Sequence, residues 1–396
     1  MKLNQGLGIC LFVLMALNFG YSFDITGTAP TISVQNPVTK LAVANSFEEN
    51  MNSTLATAFN NTIDTAKKNL SGFKELKNLA EGFANANAYS INSASLQGFQ
   101  NYSLFALAGG LMVGVQAPSP NVSYYSKIAD DIQKQGDLYA GIGASVSFFN
   151  LGINAKFIMP GLYLNAKYGT FARNVGDFKM DFQVMGVGFN YRLIDTKSLI
   201  GFVKWRGISL GSGFYMQSDK LNLKIDADTV KTLAPFRANV LATATNHADS
   251  LQKGILMDQL GYDKNNPEAT LSLNPSFTMG LDVNTYTIPF DAVTSVSLFF
   301  GLINLTAGLG MDLNFGTNKI ILSGETGAGV TSDSTKIKFN PAKVKIDGNG
   351  SAGPSATRFR AMTGVGIGLG PIKLDVPVIY YPASGFAFGA TVAVVW

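Results

Sequence analysis

The last twelve residues, GFAFGATVAVVW from Gly385 to Trp396, limit the folds open to this chain more than any other feature. In an extended strand successive side chains point to opposite faces. Phe386, Phe388, Ala390, Val392, Val394 and Trp396 then share one face, and Gly385, Ala387, Gly389, Thr391, Ala393 and Val395 share the other. Bulk lies on one side only. Such a face must meet a protein core or lipid, because exposing it to water costs roughly 25 cal/mol per Å².

The same design recurs upstream. Ile303, Leu305, Ala307, Leu309, Met311, Leu313 and Phe315 alternate with Asn304, Thr306, Gly308, Gly310, Asp312, Asn314 and Gly316. Phe359, Ala361, Val365, Ile367 and Leu369 alternate with Arg358, Arg360, Gly364, Gly366 and Gly368. Ile372, Leu374, Val376, Val378 and Tyr380 alternate with Lys373 and Asp375. Weaker versions occur at 138–149, 153–157, 162–171, 183–192, 208–217 and 269–286. A β-sandwich would show the same alternation with its bulky face in a core. The glycine-rich second face favours a barrel whose bulky face meets lipid. Phe148-Phe149-Asn150 and Phe299-Phe300-Gly301 read as similar tight turns, as does Gly368–Ile372.

The opening residues place the chain in an envelope. Lys2, an apolar run from Leu7 to Leu17, and small residues at Gly20 and Ser22 read as a cleaved signal peptide over 1–22. The sole cysteine, Cys10, lies in that segment, so the mature chain has neither disulfides nor thiolate chemistry. Charged residues are 14% of the chain and Gly 42 of 396, while mean hydropathy is +0.17. No later apolar run reaches the ~18–20 residues of a spanning helix. The net charge of +4 is too small and scattered for nucleic acid.

With signal, alternation and aromatic terminus together, the chain resembles bacterial outer-membrane β-barrel proteins. The resemblance implies an all-β membrane fold: an antiparallel transmembrane barrel, about 12–14 strands by the segments counted, at the bacterial cell outer membrane. In that setting Phe386, Phe388, Val392, Val394 and Trp396 form an assembly signal read by the barrel-assembly machinery. The other partners are membrane lipid, lipopolysaccharide or an equivalent outer leaflet, and a small-molecule solute.

Before the strands the period changes. Residues 23–44 read as an extended lead with Pro30 and Pro37. Ser46 and Glu49 form a capping box. Phe47, Met51, Leu55, Phe59, Ile63, Ala66, Leu70, Phe73, Leu76, Ala80 and Phe83 then follow at helical spacing. Two placements fit this 46–83 helix: a plug inside the lumen, packed against the glycine-rich wall, or a periplasmic helix. The domains expected are 1–22 signal, 23–100 lead and helical segment, and 101–396 barrel, with a helical loop over 219–268 and a flexible loop over 347–356. The order of signal, hatch-like segment, strands and helix-bearing loops is similar to the long-chain fatty-acid transporter type of barrel. That resemblance implies fourteen strands, and no ligand-binding residue carries across.

Chemistry is sparse. Gly207-Ile208-Ser209-Leu210-Gly211 matches a nucleophile elbow in letters, but strand alternation surrounds it and no helix follows. His247, the only histidine, lies in the long loop. One histidine and no mature cysteine leave oxygen ligands alone for a metal, at no recognisable spacing. No enzyme activity, catalytic residue, metal or cofactor is expected. Lys156, Lys167, Lys204, Arg206, Asp312, Arg358, Arg360, Lys373 and Asp375 occupy the non-bulky phase of strands. An Arg or Lys on the lipid face would cost ~2–4 kcal/mol at mid-membrane, so these residues are candidates for the lumen, as a charged channel wall or as a network holding the N-terminal segment. The function expected is passive uptake or diffusion of small molecules, hydrophobic ones among them. The alternative is a surface-exposed structural or adhesin-type barrel that binds a partner through its loops.

Overall fold

The computed structural model describes residues 24–34, parts of 48–64, and 76–91, 102–116, 141–225, 236–239, 268–273, 277–332 and 337–396. Two short strands open it, β1 (Asp24–Thr28) and β2 (Thr31–Val34), followed by helix α1 (Leu76–Ile91). Then come β3 (Phe105–Gln116), β4 (Gly141–Asn154), β5 (Leu162–Val175), β6 (Phe178–Ile194), β7 (Lys197–Ile200) and β8 (Val203–Ile225). β9 (Phe236–Asn239) and β10 (Glu268–Leu273) are short, and β11 (Phe277–Leu298) and β12 (Ile303–Ser332) are long. The chain finishes with β13 (Ile337–Asn340), β14 (Ala342–Ala352), β15 (Thr357–Leu369), β16 (Ile372–Tyr381) and β17 (Gly385–Val395).

All these pairings are antiparallel, and ten strands close a ring. β3, β4, β5, β6, β8, β11 and β12 follow one another; β12 pairs β15, and β16 and β17 lead back to β3. The fold is the antiparallel transmembrane β-barrel expected from the alternation. Ring closure pairs the backbone N–H and C=O groups that would otherwise face lipid. Leu309 and Phe359, both 69% exposed, typify the outward face, while Asp312 and Arg360 lie inside at 1% and 3%.

The number of ring strands among the described residues is ten. That corrects the twelve to fourteen expected, and the fourteen implied by the fatty-acid transporter resemblance. The whole sheet has fifteen strands, because alternation continues in pieces that pair beyond the ring. β12 is the cause. Its 30 residues are about three times the 9–11 a tilted strand needs to cross a bilayer. Ile303–Leu313 pairs β15, whereas Asn318–Ala328 leaves the ring and pairs β14, which in turn pairs β1. β14 occupies most of the stretch expected to be the flexible 347–356 loop, which corrects that expectation. Likewise β8 runs through the start of the expected 219–268 helical loop, and Phe236–Asn239 is a strand paired with β10; His247 and the rest of that loop lie outside the described residues.

Phe148-Phe149 is another correction. It is not a turn but a β-bulge inside β4, opposite the register shift at Ala108/Gly110. The bulge lets two consecutive phenylalanines both face outward. The real turns at that end are 155–161, the Phe299–Gly301 turn and Gly370-Pro371. At this end Trp396 stacks on Phe105, with centroids 4.3 Å apart, and the backbone N–H groups of Ser103 and Leu104 donate to the Trp396 carbonyl at 2.7 and 2.8 Å. The far end carries the long connections 117–140 and 226–276 and the 382–384 turn.

Inter-strand register locates the limit of the lipid-facing belt. Tyr168, Met185, Met216, Tyr286 and Phe315 sit in one cross-strand row on β5, β6, β8, β11 and β12. One step towards the far end, the row reads Thr170, Gln183, Ser218, Asn284 and Thr317. The next step reads Ala172, Asp181, Lys220, Asp282 and Lys319, four of its members alternating in charge. Opposite charges directly across strands attract. The outward face changes from apolar through polar to charged within three rows, as the edge of a bilayer requires.

Candidate functional site: the lumenal helix and its wall

α1 lies inside the ring. Its sequence, LKNLAEGFANANAYSI, has no charged side chain after Glu81 and alternates Ala with Asn through residues 84–88. Small side chains make a thin rod, and residues 82–91 are all buried. The wall narrows to meet it: a Cβ added at Gly114 of β3 would lie 2.2 Å from the Ala86 carbonyl oxygen, and one at Gly143 of β4 would lie 2.5 Å from the Asn87 nitrogen. Only residues without a side chain permit that approach. This is the lumenal placement of the two weighed above, with different bounds. The helix in the lumen runs over 76–91 and continues past Phe83. Leu55, Phe59 and Ile63 of the expected stripe are buried farther upstream, with Phe59 against Gly27 of β1.

The contacts of α1 change character along its length. Near its start, Leu79, Ala80 and Phe83 form an apolar cluster with Leu281, Val283, Ile320 and Leu322, on the part of the sheet beyond the lipid belt. Asn318 donates to the Ala80 carbonyl at 2.7 Å. In the middle the contacts are polar. Asn87 and Gln217 both donate to Asp219 Oδ2, at 2.5 and 2.8 Å, and Asn85 Oδ1 accepts from the Ser355 N–H at 2.7 Å. Tyr89 donates to Gln116 at 2.5 Å and stacks on Tyr381 with centroids 3.9 Å apart. At the C-terminus, Lys167 Nζ donates to the Ile91 carbonyl. The last turn of α1 has no basic residue of its own, so the wall supplies the cation that a helix C-terminus favours.

Behind Tyr381 sits a buried ionic group. Arg360 Nη2 lies 2.7 Å from Asp291 and 3.2 Å from Asp312, all three side chains at most 1% exposed. The Tyr381 hydroxyl donates to Asp312 at 3.3 Å, which links the triad through the tyrosine stack to α1. Three groups from three strands thereby satisfy charges that would be too costly buried alone.

The nine expected lumenal residues divide accordingly. Lys167, Asp312, Arg360 and Asp375 are buried inside. Arg206, Arg358 and Lys373 are half-buried; Arg206 donates to Ser297 at 2.7 Å, and Arg358 donates to Ser355 at 2.6 Å with its guanidinium 5.6 Å from the Tyr89 ring centre. Lys204 is exposed at the mouth. Lys156 is no wall residue: it sits exposed in the 155–161 turn. Lys167 bonds the end of α1 and Arg358 lies over Tyr89, while Arg360 and Asp312 reach α1 through Tyr381. Gly207 has φ +82° and marks a bulge where β8 shifts register against β11, turning Trp205 outward in phase with Val296 and Arg206 inward. Ser209 is an inward-facing strand residue with its hydroxyl 3.4 Å from the Val293 carbonyl; β8 continues to Ile225, so no elbow forms there. Outside the strands, Tyr102 is packed at the Trp396 end. Burial, reinforced by the neighbouring Tyr163, pushes its phenol above the ordinary range.

Of the residues expected to form an assembly signal, Phe388, Val392 and Trp396 are exposed outward, and Phe386 and Val394 are half-exposed on the same face. Asp219, Gln217, Asn87, Asp291 and Tyr381 were not picked out from sequence. Asp291 had a signal: Thr287, Asp291, Ser295 and Ser297 alternate with Ile288, Phe290, Val296 and Leu298. Asp219 had none, because it falls where the bulky phase stops.

The family model described as Lsa36-like matches residues 38–396, which takes in α1 and the whole ring. The chain belongs to that family. No curated protein matches the sequence. Among solved structures, this Lsa36-like barrel is similar at 9% identity to the translocator domain of the autotransporter NalP from Neisseria meningitidis, over 78% of this chain and 100% of that one, with a TM-score of 0.27. The P. putida toluene transporter TodX matches at 10% identity, over 80% and 99% of the two chains, with a TM-score of 0.21. The Ralstonia pickettii toluene transporter TbuX matches at 9%, over 79% and 98%, with a TM-score of 0.20. No residue correspondence follows from similarity of that degree.

Proposed function

We propose that the protein works in the outer membrane of a diderm bacterium as a closed barrel that passes small solutes when α1 leaves its seat. The observation that carries this reading is the polar middle of the α1 contact, where Asn85 and Asn87 meet Ser355, Gln217 and Asp219. A hydrogen bond exchanged for one to water changes stability by only ~0.5–1.5 kcal/mol. A helix held this way is released at less cost than one held by an apolar face. Below α1 the wall carries Ser147, Asn150, Ser297 and Thr391 beside the apolar cluster of Tyr102, Ala106, Ala108, Tyr163 and Ala393, a lining of mixed character for small solutes. No catalytic step enters this reading. Outer-leaflet headgroups would meet Lys220 and Lys319, and the assembly machinery would read the β17 face.

Planar-bilayer conductance tests it. The intact protein should open rarely, while Gly143→Leu, whose side chain collides with α1, and a chain lacking residues 46–100 should conduct. A deletion variant that keeps heat-modifiable gel migration and stays silent removes the channel.

A second reading is favoured by the charged outward rows beyond the belt: a surface barrel that binds a partner through its far-end loops. Overlay of the isolated 226–276 segment on candidate ligands, with protease shaving of whole cells, separates it from a conduit.

A further inference from the structure

We infer that the barrel carries its own N-terminal segment through its lumen and displays residues 24–64 on the cell surface. The inference rests on the outer-membrane placement proposed above and concerns the route of the chain.

That route can be followed through the described residues. β1 pairs the outer part of the sheet at β14, and β2 pairs β13. The Asn52 side chain binds Ile32 at its N–H, 2.6 Å away, and at its carbonyl. All of this lies at the far end. α1 begins there too, with Leu79 against Ile320 and Leu322, and ends against Lys167 inside the belt. By Ser103 the chain is bonded to the Trp396 carbonyl at the opposite end. The 16 residues of α1 span about 24 Å, from the sheet beyond the belt to Lys167 at the belt's edge. The segment before α1 and the barrel after it therefore stand at opposite ends of the lumen.

Loop lengths orient the barrel. Short turns face the periplasm and long loops face outward in such barrels. The Trp396 end carries the short turns 155–161, 299–301 and 370–371, while both long connections, 117–140 and 226–276, are at the far end beside the short 176–177 and 382–384 turns. The described residues among 24–64 are then outside. The occupant of the lumen also suits transit: nothing between Gly82 and Ile91 is charged, so no ion has to shed water to lie there.

A chain whose sole cysteine is Cys10 gives a clean test. In a Cys10→Ser background, Thr26→Cys, Ala383→Cys and Lys156→Cys are made singly, and intact cells are treated with a membrane-impermeant maleimide. Thr26→Cys and Ala383→Cys should label on intact cells, and Lys156→Cys only after the outer membrane is permeabilised. A silent Thr26→Cys beside a labelled Ala383→Cys overturns the display and leaves the outer-membrane placement intact. If neither labels until cells are lysed, the placement fails, and the display fails with it.

Discussion

β12 is two strands in one. Over residues 305–315 its outward positions are Leu305, Ala307, Leu309, Met311, Leu313 and Phe315, and its inward ones include Asp312 and Asn314. Over 317–325 the outward positions become Thr317, Lys319, Ile321, Ser323 and Glu325, and the inward ones Ile320 and Leu322. β6, β8 and β11 invert in the same rows. The pleat never changes; the solvent does. Within the belt lipid takes the place of a core, so polar and charged groups retreat to the lumen, where Arg360, Asp291 and Asp312 satisfy one another. Beyond it water surrounds the sheet, and its inner face becomes an ordinary apolar core completed by the start of α1. Burial alone therefore does not define a core in this molecule. What lies on the other side of the sheet does.

Five substitutions test that contrast, in falling order of effect. Arg360→Met takes the guanidinium away from two buried carboxylates and should cost about 3–5 kcal/mol, read as a lowered urea midpoint in liposomes; an unchanged midpoint would show that the belt interior is not held by this triad. Leu322→Ala, in the outer core, should cost about 2–5 kcal/mol in the same assay, a loss expected of a water-soluble domain. Leu309→Arg should cost about 2–4 kcal/mol at the membrane midplane, whereas Thr317→Arg, on the same face beyond the boundary row, should fall within about 0.5 kcal/mol of wild type. Equal losses at the two sites would erase the boundary. Lys343→Ala breaks an exposed pair with Glu325, 3.8 Å apart, and should change stability by less than about 1 kcal/mol.

The belt was legible in the sequence because lipid enforces a strict alternation. Leu305–Phe315, Phe359–Leu369 and Phe386–Trp396 all gave their strand and their outward face from period two alone. The part beyond the belt was not. Lys319, Ile320 and Leu322 also alternate polar with apolar, so the pleat is visible while the exchange of its faces is not; only register against Asp282 and Lys220 shows where it happens. α1 was foreseen as a helix from Leu76, Ala80 and Phe83, but its bounds were missed because Asn85, Asn87 and Ser90 break the apolar stripe. Those residues are polar because their partners, Asp219 and Gln217 of β8 and Ser355 of the β14–β15 connection, lie more than a hundred residues away in the chain.

The inversion at Phe315 and Thr317 also bears on how such chains can change length over evolution. A one-residue insertion there would turn Lys319 and Glu325 indoors and Ile320 and Leu322 out, and the neighbouring strands would lose their complement. Additions of two residues keep every face where it was. Relatives of this chain should therefore differ in these strands by even numbers, with odd differences confined to places where a bulge, as at Phe148-Phe149, has already absorbed the extra residue.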